Sequence, residues 1–160
     1  MTTLPCEVIR ALGHRTVATA ESCTGGMIGS ALTGVPGASL VFKGGVISYS
    51  NEIKNRLLGV DWKLLERVGP VSAPVAEAMA QGARQLLQTD LAVSVTGLAG
   101  PGGDDFGNPV GTVFVGCADE NGARTEEYHF IGDRESVRQQ AMQAALQLLL
   151  KMLDQTKEEP

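Results

Sequence analysis

The chain has 160 residues, of which 43% are hydrophobic and 19% charged, and its formal net charge is −5. This composition is typical of a soluble globular protein, and the length is enough for a substantial core. No apolar run reaches the roughly 20 residues that span a bilayer, and residues 1–10 lack a secretory signal pattern. We therefore expect a cytoplasmic protein without membrane contact, folded as a single domain over residues 1–160, with a core at about 4–153 and a polar tail at 154–160.

Residues that would indicate nucleic-acid binding, disulfides or transition metals are sparse. No cluster of Lys and Arg is present to displace counterions from nucleic acid. His14 and His129 lack metal-site spacing, and the adjacent Asp104 and Asp105 favour a solvated turn over a cation site. The cysteines are too widely separated to favour a disulfide framework: Cys6, Cys23 and Cys117. A free nucleotide or another small anion remains possible as a ligand, because a few local donors are enough to bind it.

Hydrophobic periodicity and capping residues predict alternating helices and strands. Helices are predicted at 4–12, at 26–32, at 52–58 after a cap at Ser50 or Asn51, in the segment APVAEAMAQGARQLLQ after an N-cap at Ser72, and at 137–153. Strands are predicted at 16–20, 40–50 and 91–97, followed by a hairpin in which GTVFVGCA and RTEEYHF flank a turn at DENG. The sequence therefore predicts an α/β fold with a mixed sheet.

Unusual loops follow three of the predicted strands, at 20–26, 48–54 and 96–110. In α/β folds, ligands bind beyond the carboxyl ends of strands. The first loop, ESCTGG, has three interpretations: a helix cap by Ser22 or Thr24, an anion cradle of backbone N–H groups, or a nucleophile on a sharp bend. The pattern alone favours the cap.

A nucleophile in this loop requires a base. Cys23 would need a histidine, and Ser22 would need either a histidine or a lysine. Lys54 suits the second option, because the start of a helix and burial both favour its neutral amine. The alternative is an ordinary surface lysine on an amphipathic helix.

Other candidates lie in the later loops. Thr96, Gly97 and the glycines up to Gly103 could supply oxyanion donors, or form only a mobile loop. Arg134 and Arg138 share a helix face and could bind a phosphate, or pair with neighbouring acids. Tyr49 could orient Lys54, stack on a ring, or simply pack.

Six motifs, in this order, resemble the CinA C-terminal domain family: TAESCTGG, GGVISYSNEIKNRLLGV, GPVSAPVAEAMAQGAR, VSVTGLAGPGG, NPVGTVFVG and GDRESVRQQA. The resemblance covers nearly the whole chain. Stand-alone members of this family include nicotinamide-nucleotide amidohydrolases, which convert nicotinamide mononucleotide to nicotinate mononucleotide and ammonia in NAD salvage. The resemblance implies a three-layer α/β/α domain with a mixed, mostly parallel sheet, which assembles as a homodimer or higher homo-oligomer and uses no cofactor or metal.

The resemblance also implies roles for individual residues. The catalytic set carried over from the motifs is Ser22, Lys54, Tyr49 and Thr96. Substrate contacts are expected from the ESCTGG turn, the loop after Thr96 and one of two arginines: Cys23, Thr24, Gly25, Gly26, Gly97, Gly100, Arg134 and Arg138. Two alternatives remain open at this point: a nucleotide-binding regulatory domain without turnover, and a cysteine amidase that uses Cys23.

Overall fold

The structure, a computed structural model, describes residues 3–158. Helices and strands alternate along most of the chain, as predicted. In chain order they are α1 (Leu4–Leu12), β1 (Val17–Glu21), α2 (Met27–Thr33), a 3-10 turn (Ala38–Leu40), β2 (Phe42–Ile47), α3 (Asn51–Leu58), α4 (Trp62–Val68), α5 (Ala73–Leu87), β3 (Leu91–Gly97), β4 (Thr112–Asp119), β5 (Gly122–His129) and α6 (Arg134–Glu158).

Most of the predicted elements are confirmed, and the differences have local causes. α4 was not predicted; it is only seven residues long and begins at Asp61, whose side chain accepts a hydrogen bond from the Lys63 N–H. Ser72 is the N-cap of α5, but its hydroxyl donates to the Gly69 carbonyl instead of capping the helix. α6 continues to Glu158, so the predicted polar tail begins within a helix, and residues 159–160 lie outside the described residues.

The strands form one mixed sheet in the order β2-β1-β3-β4-β5. β1 pairs in parallel with β2 and β3, whereas β4 runs antiparallel to both β3 and β5. β4 and β5 form the predicted hairpin, and four of the five strands share one direction. The predicted α/β class with a mixed sheet flanked by helices is confirmed.

The two faces of the sheet carry side chains of different size. Larger apolar residues of β3, such as Val93 and Val95, pack with α1, α2 and α6. The opposite face is lined by small residues, and there the Ser94 hydroxyl donates to the Ala76 carbonyl of α5 at 2.6 Å. A Cβ at Gly116 would lie 2.7 Å from that same oxygen, so small residues let α5 pack close to the sheet. No helix within residues 3–158 is both long and apolar enough to cross a bilayer.

The connections around β1 determine where a ligand can bind. The link from β1 to β2 runs through α2 on one face, and the link from β2 to β3 runs through α3, α4 and α5 on the other. The helices of these two links therefore lie on opposite faces of the sheet, with β1 between the strands that they connect, and a crevice opens beyond the carboxyl end of β1. Because β1, β2 and β3 are parallel, the three unusual loops meet at this edge.

Candidate functional site

The turn between β1 and α2 is capped by Glu21, which none of the three sequence interpretations assigned. Thr24 does not cap the helix; its hydroxyl donates to the Glu21 carboxylate at 2.7 Å. The N–H groups at the start of α2 donate to the same carboxylate, from Gly26 at 3.2 Å, Ile28 at 2.9 Å and Gly29 at 3.1 Å. A protein carboxylate thus occupies the position that an anion cradle would offer to a ligand.

Ser22 follows Glu21 directly, and its side chain contacts Lys54 of α3. Its hydroxyl oxygen lies 3.1 Å from Lys54 Nζ, which donates a hydrogen bond to it. The Ser22 side chain is largely buried, with 8% of its surface exposed. A hydroxyl and an amine at this distance have the geometry of a serine–lysine dyad.

Lys54 is a buried amine rather than the surface lysine that the alternative interpretation described. It lies in the first turn of α3, whose N-cap Ser50 accepts from the Ile53 N–H, and only 2% of the residue is exposed. Nζ also donates to the Ser48 carbonyl at 2.8 Å and to the Tyr49 carbonyl at 3.4 Å.

No carboxylate balances this amine. Within residues 3–158, Lys54 forms no ion pair with an acidic side chain. Burial disfavours the charged form and lowers the pKa of Lys54 from 10.5 to about 8. About 9% of Lys54 is therefore neutral at pH 7, compared with far less for an ordinary lysine, and the neutral form is the one that can accept a proton.

Cys23 lies beside this pair in an environment that disfavours its thiolate. The side chain is buried, and burial raises the pKa of Cys23 to about 11. Neither histidine is placed to activate it. His14 precedes β1 and so lies at the far edge of the sheet, whereas His129 ends β5 and contacts Thr112 and Glu127. The described part of the chain contains no thiol–imidazole pair of the kind that cysteine hydrolases use.

A cavity of about 460 Å³ opens above Ser22 and Lys54. Among the described residues that line it, Lys54 and Arg134 are the basic side chains and none is Asp or Glu, so this lining is electropositive. Eight residues of the predicted site line it: Ser22, Cys23, Tyr49, Lys54, Thr96, Gly97, Gly100 and Arg134. The other four lie outside the lining: Thr24, Gly25, Gly26 and Arg138.

The two arginines have different surroundings. Arg134 donates to the Gly100 carbonyl at 2.7 Å and to the Tyr49 hydroxyl at 3.3 Å, at the mouth of the cavity. Arg138 instead donates to the carbonyls of Cys23 and Thr24, at 2.9 and 3.4 Å. Arg134 is thus placed to meet a ligand, whereas Arg138 supports the turn that carries Ser22.

Tyr49 and Thr96 contact the site in ways that the sequence did not predict. The Tyr49 ring is 63% exposed, and its only link to Lys54 is through its backbone carbonyl. The Thr96 hydroxyl donates to the Pro70 carbonyl at 2.7 Å, so it ties the end of β3 to the segment between α4 and α5. Both residues line the cavity, and each also joins two of its walls.

The glycine-rich loop after β3 is held by specific contacts. The Asp104 carboxylate accepts from the N–H groups of Phe106 and Asn108 and from the Asn108 side chain. The Asn108 amide also donates to the Val71 carbonyl at 3.3 Å. Asp104 therefore organises the cavity wall, and within residues 3–158 no three His, Cys, Asp or Glu side chains form a metal-binding group.

Several residues of the site were missed by sequence reasoning. Ser48 supplies a backbone carbonyl to Lys54, a role that no side-chain pattern could reveal. Asn51 lies in the predicted loop 48–54 but was considered only as a cap, and Pro70 and Val71 line the cavity although they come from a segment between the predicted loops. Glu21 had a signal, since it directly precedes Ser22, but its contacts depend on how the turn folds back.

The CinA C-terminal domain model matches residues 3–153. This chain belongs to the CinA C-terminal domain family. It is 53% identical over 123 residues to a CinA-like protein of Geobacter metallireducens, which covers 77% of this chain and 30% of that protein. A CinA-like protein of Thermosynechococcus vestitus is 51% identical over 156 residues, which covers 94% of this chain and 38% of that protein. The chain thus spans about a third of the length of these curated relatives.

Solved structures of the family show the same fold. A competence-damaged protein (CinA) superfamily protein from Klebsiella pneumoniae is 33% identical with a TM-score of 0.92, over 95% of this chain and 96% of that one. The competence/damage inducible protein CihA from Agrobacterium tumefaciens is 37% identical with a TM-score of 0.89, over 94% and 93% of the two chains. The match extends over nearly all of both solved chains.

Proposed function

We propose that this chain is an amidohydrolase that converts nicotinamide mononucleotide to nicotinate mononucleotide and ammonia by serine–lysine acyl transfer. The observation that carries the proposal is the 3.1 Å contact between Ser22 Oγ and the buried, unpaired Nζ of Lys54. Membership of the CinA C-terminal domain family, which is associated with deamidation of this nucleotide, supports the choice of amide. Because the chain spans only part of its curated relatives, the proposal concerns this domain.

The acylation half-reaction begins with neutral Lys54. Nζ takes the proton of Ser22 Oγ as the oxygen bonds to the carboxamide carbon, which gives a tetrahedral oxyanion and an ammonium on Lys54. Collapse of the intermediate breaks the carbon–nitrogen bond. The proton on Lys54 passes to the departing nitrogen, so that ammonia leaves and an ester of Ser22 remains.

Water completes the reaction by the same proton route. Lys54, neutral again, takes a proton from water as its oxygen attacks the ester carbon. The second tetrahedral intermediate releases Ser22 Oγ, which recovers its proton from Lys54, and the product is a carboxylic acid that loses its proton to water and departs as a carboxylate.

Backbone N–H groups must hold both oxyanions. The Gly25 and Gly26 N–H groups already donate to the Ser22 carbonyl and to Glu21, and Leu98 donates to the Thr112 carbonyl. The candidates that remain are the N–H groups of Cys23 and Thr24, which follow the nucleophile, and those of the cavity-lining glycine loop. We favour Cys23, because its N–H is adjacent to the reacting oxygen in sequence.

The electropositive cavity supports an anionic substrate. Arg134 lies at the cavity mouth, where it would bind the 5′-phosphate, and the exposed Tyr49 ring beside it offers a surface for the pyridinium or ribose. Phosphate binding far from the amide would then contribute to orienting the reacting carbon. The positive charge of the pyridinium ring itself activates the amide carbonyl.

The test is ammonia release from nicotinamide mononucleotide by the purified chain, with and without EDTA. We expect turnover that EDTA does not stop. Ser22→Ala should lower kcat by about 1,000-fold or more, because the nucleophile is lost, while the neighbouring Cys23→Ala keeps most of the activity. A loss confined to Cys23→Ala would transfer the role to the thiol. Tight nucleotide binding by the wild type without ammonia would instead support a regulatory domain.

A further inference from the structure

Glu21 is a buried carboxylate whose contacts are all neutral donors. It ends β1 directly before Ser22, and only 2% of the residue is exposed. Within residues 3–158 it forms no ion pair with a cationic side chain. Four donors point at its oxygens: the Thr24 hydroxyl and the N–H groups of Gly26, Ile28 and Gly29. A carboxylate, which only accepts hydrogen bonds, matches all four, whereas an amide whose oxygen kept the three donors on Oε1 would place its NH₂ against the Gly29 N–H.

Glu21 caps α2 from the other end of the turn, so the cap also constrains the shape of the turn. The N-cap position is Gly26, which has a φ of 108° and no side chain to accept a hydrogen bond. A helix cap normally comes from the N-cap residue itself. Here the acceptor comes from five residues earlier, across the turn that carries Ser22, so it fixes the end of β1 against the start of α2.

The rest of the turn is anchored in a complementary way. The Ser22 N–H donates to the Val95 carbonyl of β3 at 3.0 Å. On the exposed side, Arg138 binds the carbonyls of Cys23 and Thr24. The N–H groups at one end of the turn thus donate to the Glu21 carboxylate, while the carbonyls in its middle accept from the Arg138 guanidinium.

We propose that Glu21 is a positioning residue that fixes this turn and so holds Ser22 Oγ within reach of Lys54 Nζ; the inference rests on the proposed function. A cap from the N-cap residue itself is not available at this turn, because Gly26 has a φ of 108° and a Ser or Asp there would be strained. The acceptor therefore comes from Glu21, although burial of a carboxylate without an ion pair is costly. What only Glu21 provides is a cap that bridges the turn.

The experiment compares Glu21→Gln and Thr24→Val with the wild-type chain. Glu21→Gln keeps the shape but replaces an acceptor by a donor, and Thr24→Val removes one of the four donors. The matched control is Glu126→Gln on β5, whose carboxylate accepts from Tyr128 and Lys151. Five quantities are measured: kcat and KM for nicotinamide mononucleotide, the rate at which a fluorophosphonate labels Ser22, the Kd of nicotinate mononucleotide, and the folded fraction by circular dichroism.

For Glu21→Gln we expect kcat and the labelling rate to fall together by about 100-fold, because a displaced nucleophile loses its alignment with the base. KM and the Kd of the product should change by less than about threefold, since no ligand contact is lost. For Thr24→Val we expect a fall of about tenfold in kcat, because the loss of one charge-assisted hydrogen bond to Glu21 corresponds to a factor of about this size. Glu126→Gln should match the wild type.

A folded Glu21→Gln that keeps the wild-type kcat and labelling rate would overturn the inference. So would a kcat loss that only follows the folded fraction, or, where Glu21→Gln does not fold, a Thr24→Val with unchanged kcat and labelling. Wild-type chain that is labelled at Ser22 but releases no ammonia would refute the substrate alone, and the labelling rates would still test Glu21.

Discussion

Raising the pH from 6.5 to 9 should convert the proposed base, Lys54, to its neutral form, which accepts a proton. With a pKa of about 8 for Lys54, its neutral fraction is about 9% at pH 7, about half at pH 8 and about 90% at pH 9. At the ordinary value of 10.5, the neutral fraction at pH 7 would be only about 0.03%. Burial of Nζ therefore increases the reactive fraction at pH 7 by about 300-fold.

The assay is kcat/KM for nicotinamide mononucleotide, followed as ammonia release across this range. We expect kcat/KM to rise about tenfold per pH unit well below pH 8 and to level off above it. Starting at pH 6.5 keeps the phosphate of the substrate mostly in its dianionic form, because its second pKa is about 6. Lys54→Arg serves as the control and should be inactive throughout, since a guanidinium does not accept a proton in this range.

Three results would refute this reasoning. A flat profile between pH 6.5 and 9 would mean that no group with a pKa near 8 limits the reaction. A profile that still rises tenfold per unit at pH 9 would mean that the base retains the ordinary pKa of a lysine. Full activity of Lys54→Arg would exclude Lys54 as the base altogether.

Three further predictions concern stability and binding. The pKa of Lys54 is about 8 in the folded chain, below the ordinary value of 10.5 that we take for the unfolded chain. Between these two pH values, the unfolded chain therefore binds more protons than the folded chain. As the pH rises from 7.5 to 10.5, the free energy of unfolding of the wild type should therefore increase by up to about 3 kcal/mol relative to that of Lys54→Met. Denaturant titrations that show the same difference between the two chains at every pH would contradict this prediction. Arg134→Ala should lower kcat/KM for the mononucleotide by about 10- to 100-fold but leave kcat/KM for the unphosphorylated riboside unchanged. Arg138→Ala, in contrast, should lower kcat for both substrates. Equal losses for both variants on both substrates would argue against a phosphate contact by Arg134. Gly82→Ala should destabilise the chain by about 3 kcal/mol or more, since its Cβ would lie 1.9 Å from the last carbonyl of α3; Gly34→Ala, with ordinary contacts at 3.5 Å, is the control, and equal melting temperatures would refute the clash.

Much of the fold could be predicted because its signals are local. The limits of β3 follow from a run of β-forming residues that ends at Gly97, and α3 is delimited by Ser50 and Gly59, which cap it at either end. α4 escaped prediction because seven residues between two glycines carry little periodicity. The extent of the single domain, the cytoplasmic location and the homo-oligomeric state stay predictions.

The candidate site was predictable in its members more than in their arrangement. Ser22 and Lys54 are recognisable from their motifs, yet their 3.1 Å contact joins residues 32 positions apart. The different surroundings of Arg134 and Arg138 could not be predicted, because two residues on one helix face look equivalent until the neighbouring loops are in place.

The sequence by itself determined the order of the elements, the family and the residue types available for chemistry, because helix caps, hydrophobic periods and motifs act over short distances. Only the tertiary structure decided which groups are buried and what they touch. Burial lowers the pKa of Lys54, and the folding back of one turn gives Glu21 its four donors. Both effects depend on segments that meet only after β1, β2 and β3 have paired, since dielectric environment and hydrogen-bond geometry are properties of the assembled sheet edge.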